Sequence, residues 1–136
     1  MLPCVLVIND FQSTLNLYAD LLESDNYELE LSNYEFEEPE MIERLMPTLI
    51  PTLIILDFQV DQPNRTRGWQ LLDQIKLSRK LSSLPIILCT PSMADVREQE
   101  HYLQDEGLVI FYKPFKLDKF VHKVQQLLEV SLSEKK

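Results

Sequence analysis

The feature that most constrains the fold is a regular alternation between short apolar runs and segments whose apolar residues recur at helical spacing. Five such runs cover residues 4–8, 27–31, 53–57, 85–89 and 108–112. Between them the period becomes helical, as in Leu15, Tyr18, Leu21 and Leu22, and a final helical segment follows the last run. Strands that alternate with helices are typical of a parallel sheet. The sequence therefore predicts an α/β fold.

The runs differ in their polarity, and this difference predicts their places in the sheet. Run 53–57 is the most hydrophobic and is expected to be the central strand. Run 27–31 alternates polar with apolar residues, which indicates an edge strand with one wet face. We also expect a short helix at 39–45, a polar loop at 59–68, a helix beginning near Trp69 and another beginning at Pro91.

Length and composition predict a single globular domain over 1–130, with a short polar tail at 131–136. The chain has 136 residues, of which 45% are hydrophobic and 26% charged. A net charge of -9 disfavours direct binding to nucleic acid. No apolar run is long enough to cross a membrane. Cys4 and Cys89 lie within apolar runs and are expected to be buried free thiols, which favours the cytoplasm.

Polar residues appear where the apolar runs end. Asn9 and Asp10 follow the first run, Asp57 ends the third, Thr90 follows the fourth and Lys113 follows the fifth. Because the carboxyl ends of parallel strands share one edge of the sheet, we expect these side chains to converge there. Open α/β sheets bind their ligands outside that edge, where the strand order reverses.

The converging groups suit a hard cation and a phosphoryl group. Asp10 and Asp57 offer oxygen ligands of the kind that Mg²⁺ prefers. Lys113 supplies a positive charge and Thr90 a hydroxyl donor to the oxygens of a transferring phosphoryl group. Phosphoryl transfer depends mainly on positioning and charge neutralisation. The residues therefore predict that the carboxylate of Asp57 is a nucleophile towards phosphorus.

From residue 4 to about residue 130 the chain resembles response-regulator receiver domains. The segments that carry the resemblance are Val7-Ile8-Asn9-Asp10, Ile55-Leu56-Asp57, Leu88-Cys89-Thr90 and Lys113-Pro114-Phe115. The resemblance implies a (βα)5 doubly wound parallel sheet of flavodoxin-like strand order 2-1-3-4-5. It implies that Asp57 accepts a phosphoryl group from a sensor histidine kinase or a histidine phosphotransfer protein, in a reaction that depends on Mg²⁺.

The resemblance also assigns roles to individual residues. Asp10, Asp57 and the main-chain carbonyl of Gln59 are expected to bind the metal, Thr90 to sense the phosphoryl group and Lys113 to pair with it. The Lys113–Pro114 peptide is expected to be cis. Such a domain is not an enzyme towards other substrates, because it assists only its own phosphorylation and dephosphorylation. An unidentified downstream protein would read its state, and a homodimer is left open.

Three positions depart from the family pattern. Asn9 stands where a second acidic residue is usual, so we expect weaker Mg²⁺ binding in the resting site, with Asn9 holding a metal-bound water. Pro91 lacks the N–H that could donate to the phosphoryl group, and Ile110 occupies the position of the usual switch aromatic. These departures leave one alternative, a pseudo-receiver that binds proteins without being phosphorylated.

Two other classes of function fit the sequence poorly. Phosphatases that use an aspartate nucleophile carry a D-x-D pattern, whereas Gln59 takes the second acidic position here. A flavin site needs main-chain donors after the first strand, and segment 9–14 contains no glycine.

Overall fold

The computed structural model of the protein describes residues 3–9, 12–33, 51–57, 75, 77, 83–90 and 108–134. In chain order the elements are β1 (Cys4–Asn9), α1 (Gln12–Leu22), β2 (Glu28–Asn33), β3 (Leu53–Asp57), β4 (Ile86–Thr90), β5 (Leu108–Tyr112) and α2 (Leu117–Glu134). Ile75 and Leu77, between β3 and β4, have helical backbone, as the predicted helix after Trp69 requires. The predicted helices at 39–45 and after Pro91, and the predicted loop at 59–68, lie outside the described residues.

The five strands form one sheet in the order β2-β1-β3-β4-β5, and each neighbouring pair is parallel. The predicted α/β class and the flavodoxin-like order 2-1-3-4-5 are therefore confirmed. β3 is the central strand, where Ile55 lies between Val7 of β1 and Ile87 of β4. The strand order reverses beside β1, because the chain first adds β2 on one side and then β3 on the other. The carboxyl ends of β1 and β3 consequently flank the crevice where such sheets bind ligands.

The core fills both faces of the central strands. On one face α1 and α2 contribute Leu15, Leu22, Phe120, Val124 and Leu128 to a cluster with the inward residues of the sheet. On the other face the alternate residues Leu6, Ile8, Ile54, Leu56, Ile86 and Leu88 are buried as well. A sheet covered on both faces accounts for apolar runs that do not alternate with polar residues.

β2 lies at an edge of the sheet, as its alternating sequence predicted. Glu28 and Glu30 are exposed, whereas Leu29 and Leu31 pack against the core cluster. Only one face of this strand is covered, which matches its period of two residues. Tyr27, predicted as the first residue of the strand, instead precedes it.

The end of α1 is closed by this Tyr27. Its hydroxyl donates to the carbonyl oxygen of Leu22 at 2.5 Å. Leu22 is the last residue of α1, so its carbonyl has no partner within the helix. The ring of Tyr27 is buried at 6% exposure, and it therefore joins the helix end to the core.

α2 continues to Glu134, into the segment predicted as a tail. Among the described residues, no helix combines the length and apolar character that crossing a bilayer requires. Cys4 and Cys89 are free and buried, as expected from their apolar surroundings in sequence.

Candidate functional site

Four of the predicted site residues lie at the carboxyl ends of their strands. Asn9 is the last residue of β1, Asp57 of β3 and Thr90 of β4, while Lys113 directly follows β5. Asn9 and Asp57 are fully buried, and Thr90 is 3% exposed. Asp10 and Gln59 lie outside the described residues. Apolar strands bury the centre of the sheet, and the first polar residue after each run is held at its edge.

The carboxylate of Asp57 forms an ion pair with Lys113. The Lys113 Nζ donates to Asp57 Oδ1 at 2.5 Å. The Lys113 side chain is 27% exposed, whereas that of Asp57 is 1% exposed. A carboxylate withdrawn from water to this extent needs a charged partner or several donors. The structure thus brings together two residues that are 56 positions apart in sequence.

The backbone fixes the direction from which Lys113 approaches. Its main-chain N–H donates to the carbonyl oxygen of Thr90 at 3.0 Å, which ties the residue after β5 to the end of β4. The Lys113–Pro114 peptide bond is cis, as the family resemblance implied. Thr90 is therefore linked to the ion pair through the main chain of Lys113.

Asn9 connects the ends of β1 and β3. Its Nδ2 donates to the main-chain oxygen of Asp57 at 3.1 Å, and both residues are buried. This bond holds the backbone of Asp57 at the point where strand order reverses. It uses the nitrogen of the amide, and the predicted role of Asn9 towards a metal-bound water concerns the oxygen.

Tyr18 is a site residue that the sequence analysis assigned only to the core face of α1. Its hydroxyl donates to Asp57 Oδ2 at 2.6 Å. The ring is 5% exposed and packs against Phe120 of α2, with ring centroids 5.8 Å apart. The available signal was a tyrosine on a face otherwise occupied by leucines, because a buried phenol hydroxyl requires a partner. Spacing alone does not identify that partner.

The electrostatics of the site keep Tyr18 protonated. Burial raises the pKa of the Tyr18 phenol far above its usual range, and the neighbouring Cys89 and Asp57 raise it further. The phenol is therefore a hydrogen-bond donor at any physiological pH. Burial also raises the pKa of the Cys89 thiol to about 12, although its hydrogen bond with Tyr18 acts in the opposite direction. A thiol in this state is not a nucleophile.

A cavity of about 400 Å³ adjoins the ion pair. Asp57, Lys113 and Tyr18 line it together with the apolar side chains of Leu17 and Leu117. Leu17 and Leu117 are 69% and 57% exposed, so the cavity faces solvent between α1 and the start of α2. The cavity reaches the Asp57 carboxylate from this side.

The oxygen donors of the described site fit Mg²⁺ in kind. A carboxylate from Asp57 and an amide from Asn9 stand at adjacent strand ends, and Mg²⁺ selects hard oxygen ligands while keeping several waters. Within the described part of the chain there is no cluster of three or more His, Cys, Asp or Glu side chains suited to a metal. The other two predicted ligands, Asp10 and Gln59, belong to the remainder.

Comparison with known proteins gives a consistent result. The sequence profile of the family described as response regulator receiver domain matches residues 5–125. No curated protein matches the chain.

Solved structures share the fold at low sequence identity. The chemotaxis response regulator CheY4 of Vibrio cholerae is 20% identical with a TM-score of 0.69, covering 93% of this chain and 99% of that one. The signal receiver domain of a putative LuxO repressor protein from Vibrio parahaemolyticus is 20% identical with a TM-score of 0.73, covering 99% and 96%. The receiver domain of a signal transduction histidine kinase from Syntrophus aciditrophicus is 23% identical with a TM-score of 0.70, covering 93% and 90%.

Proposed function

The chain belongs to the family of response regulator receiver domains, and from that premise we propose that Asp57 accepts a phosphoryl group from a sensor histidine kinase or a histidine phosphotransfer protein. This family consists of signalling domains of two-component systems rather than of catalytic enzymes. The observation that carries the proposal is the buried Asp57 carboxylate at the sheet's reversal point, with Lys113 Nζ on Oδ1 at 2.5 Å.

The proposed reaction is a single displacement at phosphorus. A carboxylate oxygen of Asp57 forms a bond to phosphorus while the bond from phosphorus to the donor breaks, and the electron pair leaves with the donor. Lys113 lies beside the reacting oxygens, where its charge stabilises the negative charge of the phosphoryl group. Thr90 ends the neighbouring strand and is the proposed hydroxyl donor to the transferred group.

The proposed metal ligands are Asp10, Asp57 and the main-chain carbonyl of Gln59, with Asn9 acting through a water molecule. When bound, Mg²⁺ neutralises charge on the phosphoryl oxygens. The fit rests on the oxygen chemistry of Asp57 and Asn9 at adjacent strand ends. The hydrogen bond from Asn9 to the Asp57 backbone holds the two strand ends together.

Phosphorylation is proposed to act as a switch on protein binding. The free carboxylate carries the charge that Lys113 neutralises, and the acyl phosphate moves the negative charge outward to the phosphoryl oxygens. The Lys113 Nζ then follows the negative charge to the phosphoryl oxygens. The main-chain hydrogen bond from Lys113 to Thr90 couples this movement to β4. We place this switch in the cytoplasm, with an unidentified protein as its downstream partner.

Phosphorylation from acetyl phosphate tests the proposal. The protein is incubated with acetyl phosphate and Mg²⁺, and intact mass is measured. We expect the gain of one phosphoryl group, and its loss in the Asp57→Asn variant. Asp20→Asn is a matched control, since Asp20 is an exposed carboxylate of α1. Failure to gain a phosphoryl group at every Mg²⁺ concentration would instead favour the pseudo-receiver.

A further inference from the structure

The hydroxyl of Tyr18 gives the phosphoacceptor a second fixed donor. Lys113 occupies Oδ1 of Asp57, and Tyr18 donates to Oδ2 at 2.6 Å. The two donors come from opposite ends of the sequence, one from α1 and the other from the residue after β5. The proposed function uses Lys113 but assigns no task to Tyr18.

The strength of this hydrogen bond depends on the chemical state of Asp57. In the free carboxylate one negative charge is shared by Oδ1 and Oδ2, so the bond from Tyr18 is charge-assisted. Formation of the acyl phosphate removes that charge, whichever oxygen bonds to phosphorus. Hydrogen bonds to an ionised acceptor are roughly twice as strong as those between neutral groups. Tyr18 therefore stabilises the free carboxylate more than it stabilises the acyl phosphate.

We propose, on the basis of the proposed function, that Tyr18 is a further residue of the phosphoacceptor site. By stabilising the departing carboxylate, Tyr18 shortens the lifetime of the phosphoryl group on Asp57. The buried position of the hydroxyl, with no more than 5% of the residue exposed, keeps water from replacing it. Its ring is held against Phe120, so the hydroxyl is in place before the reaction begins. Such preorganised donors act where charge develops in a transition state.

Hydrolysis of the acyl phosphate is a single displacement at phosphorus by water. The oxygen of a water molecule forms a bond to phosphorus, and the bond from phosphorus to the Asp57 oxygen breaks. The electron pair of that bond remains on the carboxylate, inorganic phosphate leaves, and a proton of the water passes to phosphate or solvent. Tyr18 keeps its proton throughout, and its hydrogen bond strengthens as negative charge returns to Asp57. In a loose transition state much of this charge has already developed.

Tyr18 also affects the phosphorylation step. The free carboxylate loses part of its hydrogen bond with Tyr18 as it attacks phosphorus, so the hydroxyl does not accelerate this direction. Removing the hydroxyl therefore slows dephosphorylation and does not slow phosphorylation. Both effects favour the phosphorylated form. This outcome separates Tyr18 from Lys113, whose removal withdraws a positive charge from the phosphoryl oxygens themselves.

Tyr18→Phe is the direct test, because it removes the hydroxyl and keeps the ring that packs on Phe120. The wild type and the variant are phosphorylated with acetyl phosphate and Mg²⁺, freed of the donor, and followed by intact mass. We expect the variant to lose its phosphoryl group about threefold more slowly, which is the order expected for part of a charge-assisted hydrogen bond. We expect it to gain the group at least as fast as the wild type.

Tyr27→Phe is the matched control. Tyr27 is buried to the same degree, at 6% exposure, and its hydroxyl also makes a short hydrogen bond, but to the Leu22 carbonyl outside the site. A purely structural role of Tyr18 predicts equal effects of the two variants. We expect the phosphoryl lifetime of Tyr27→Phe to equal that of the wild type. Equal lifetimes of Tyr18→Phe and the wild type would overturn the proposal.

Fluorine NMR provides a second test that does not depend on the folding of Tyr18→Phe. Tyr18 is replaced by a ring-fluorinated tyrosine in the otherwise unchanged chain, and its fluorine NMR signal is compared before and after phosphorylation. We expect this signal to move, and the signal of a fluorinated tyrosine at Tyr27 to stay in place. A stationary signal at Tyr18 would contradict the proposal, whereas a wild type that gains no phosphoryl group would contradict the proposed function instead.

Discussion

The two oxygens of the Asp57 carboxylate are held from different directions. A lysine reaches Oδ1 and a tyrosine reaches Oδ2, while an asparagine amide holds the main-chain oxygen of the same residue. Each bond fixes a different degree of freedom, so the carboxylate plane and its backbone are both defined. A fully buried carboxylate held in this way keeps little conformational freedom.

Asn9→Asp tests the charge balance of the resting site. We expect tighter Mg²⁺ binding by about tenfold, because a second carboxylate attracts the ion at short range. We also expect the metal-free variant to be less stable by about 1–3 kcal/mol, because the donor to the Asp57 carbonyl is lost and a carboxylate is left against that carbonyl oxygen. Calorimetric titration with Mg²⁺ and urea denaturation without it measure the two effects.

Asn16→Asp is the control for this substitution. Asn16 is an exposed residue of α1, where it accepts a hydrogen bond from Gln12. Asn16→Asp adds the same negative charge to the protein as Asn9→Asp does, but away from the described site. Equal gains in Mg²⁺ affinity for the two variants would mean that net charge, and not the position of Asn9, governs metal binding.

At the residue scale, polar residues that interrupt apolar runs predicted which side chains meet at the sheet edge among the described residues. Asp57 and Lys113 were expected to meet, and the structure brings them to 2.5 Å. Tyr18 was not identified, because helical spacing assigns its ring to the core but does not locate its hydroxyl. That hydroxyl meets a residue 39 positions away, so only the packing of α1 on the sheet reveals the contact.

The five strands were predicted in number and order, but some of their ends differ from the prediction. β1 and β4 extend one residue beyond their apolar runs, to Asn9 and Thr90. Strands are held by backbone hydrogen bonds, so a polar residue continues the ladder as well as an apolar one. Tyr27 precedes β2, and its hydroxyl donates to the carbonyl oxygen at the end of α1. Hydrophobic patterns therefore locate a strand and its face more reliably than its last residue.

The ring of Phe120 connects three elements, so its removal tests how α2 is held against the rest of the fold. Its ring centroid lies 5.8 Å from that of Tyr18, 5.2 Å from that of Phe111 and 5.0 Å from that of Phe115. We expect Phe120→Ala to lower the free energy of unfolding by about 3–5 kcal/mol, because a buried aromatic side chain is replaced by a cavity. Urea denaturation measures the change.

A control lies in the first turn of the same helix. Leu117 is 57% exposed, so we expect Leu117→Ala to change stability by less than about 0.5 kcal/mol. Similar losses for both variants would show that helix propensity, and not the aromatic cluster, holds α2 against the sheet.

The buried thiols and phenols predict that the whole molecule loses stability at alkaline pH. Burial raises the pKa of Cys4 from 9.0 to about 11, with help from Glu30 and Glu28, and that of Cys89 from 9.0 to about 12. In this range the unfolded chain has lost protons that the folded chain keeps. Unfolding is therefore increasingly favoured as pH rises from 9.0, until the folded thiols ionise at about 11 and 12.

Urea denaturation across this pH range measures the effect. We expect the free energy of unfolding to fall less steeply with pH in the variant with both Cys4→Ala and Cys89→Ala, although its stability at neutral pH is lower. Tyr18 and Tyr27, whose pKa values burial also raises, account for part of the remaining slope. An unchanged slope in the double variant would contradict the prediction for the thiols.

The strand order also dictates when the site comes into being during synthesis. β1 lies between β2, which the ribosome makes soon afterwards, and β3, which it makes later. Asp57 can accept the hydrogen bond from the Asn9 amide once β3 has joined the sheet. Lys113, which forms the ion pair with Asp57, lies 56 positions further along the chain. A nascent chain that ends before β5 carries Asp57 without Lys113. The ion pair between Asp57 and Lys113 can therefore form only after the last strand has been made.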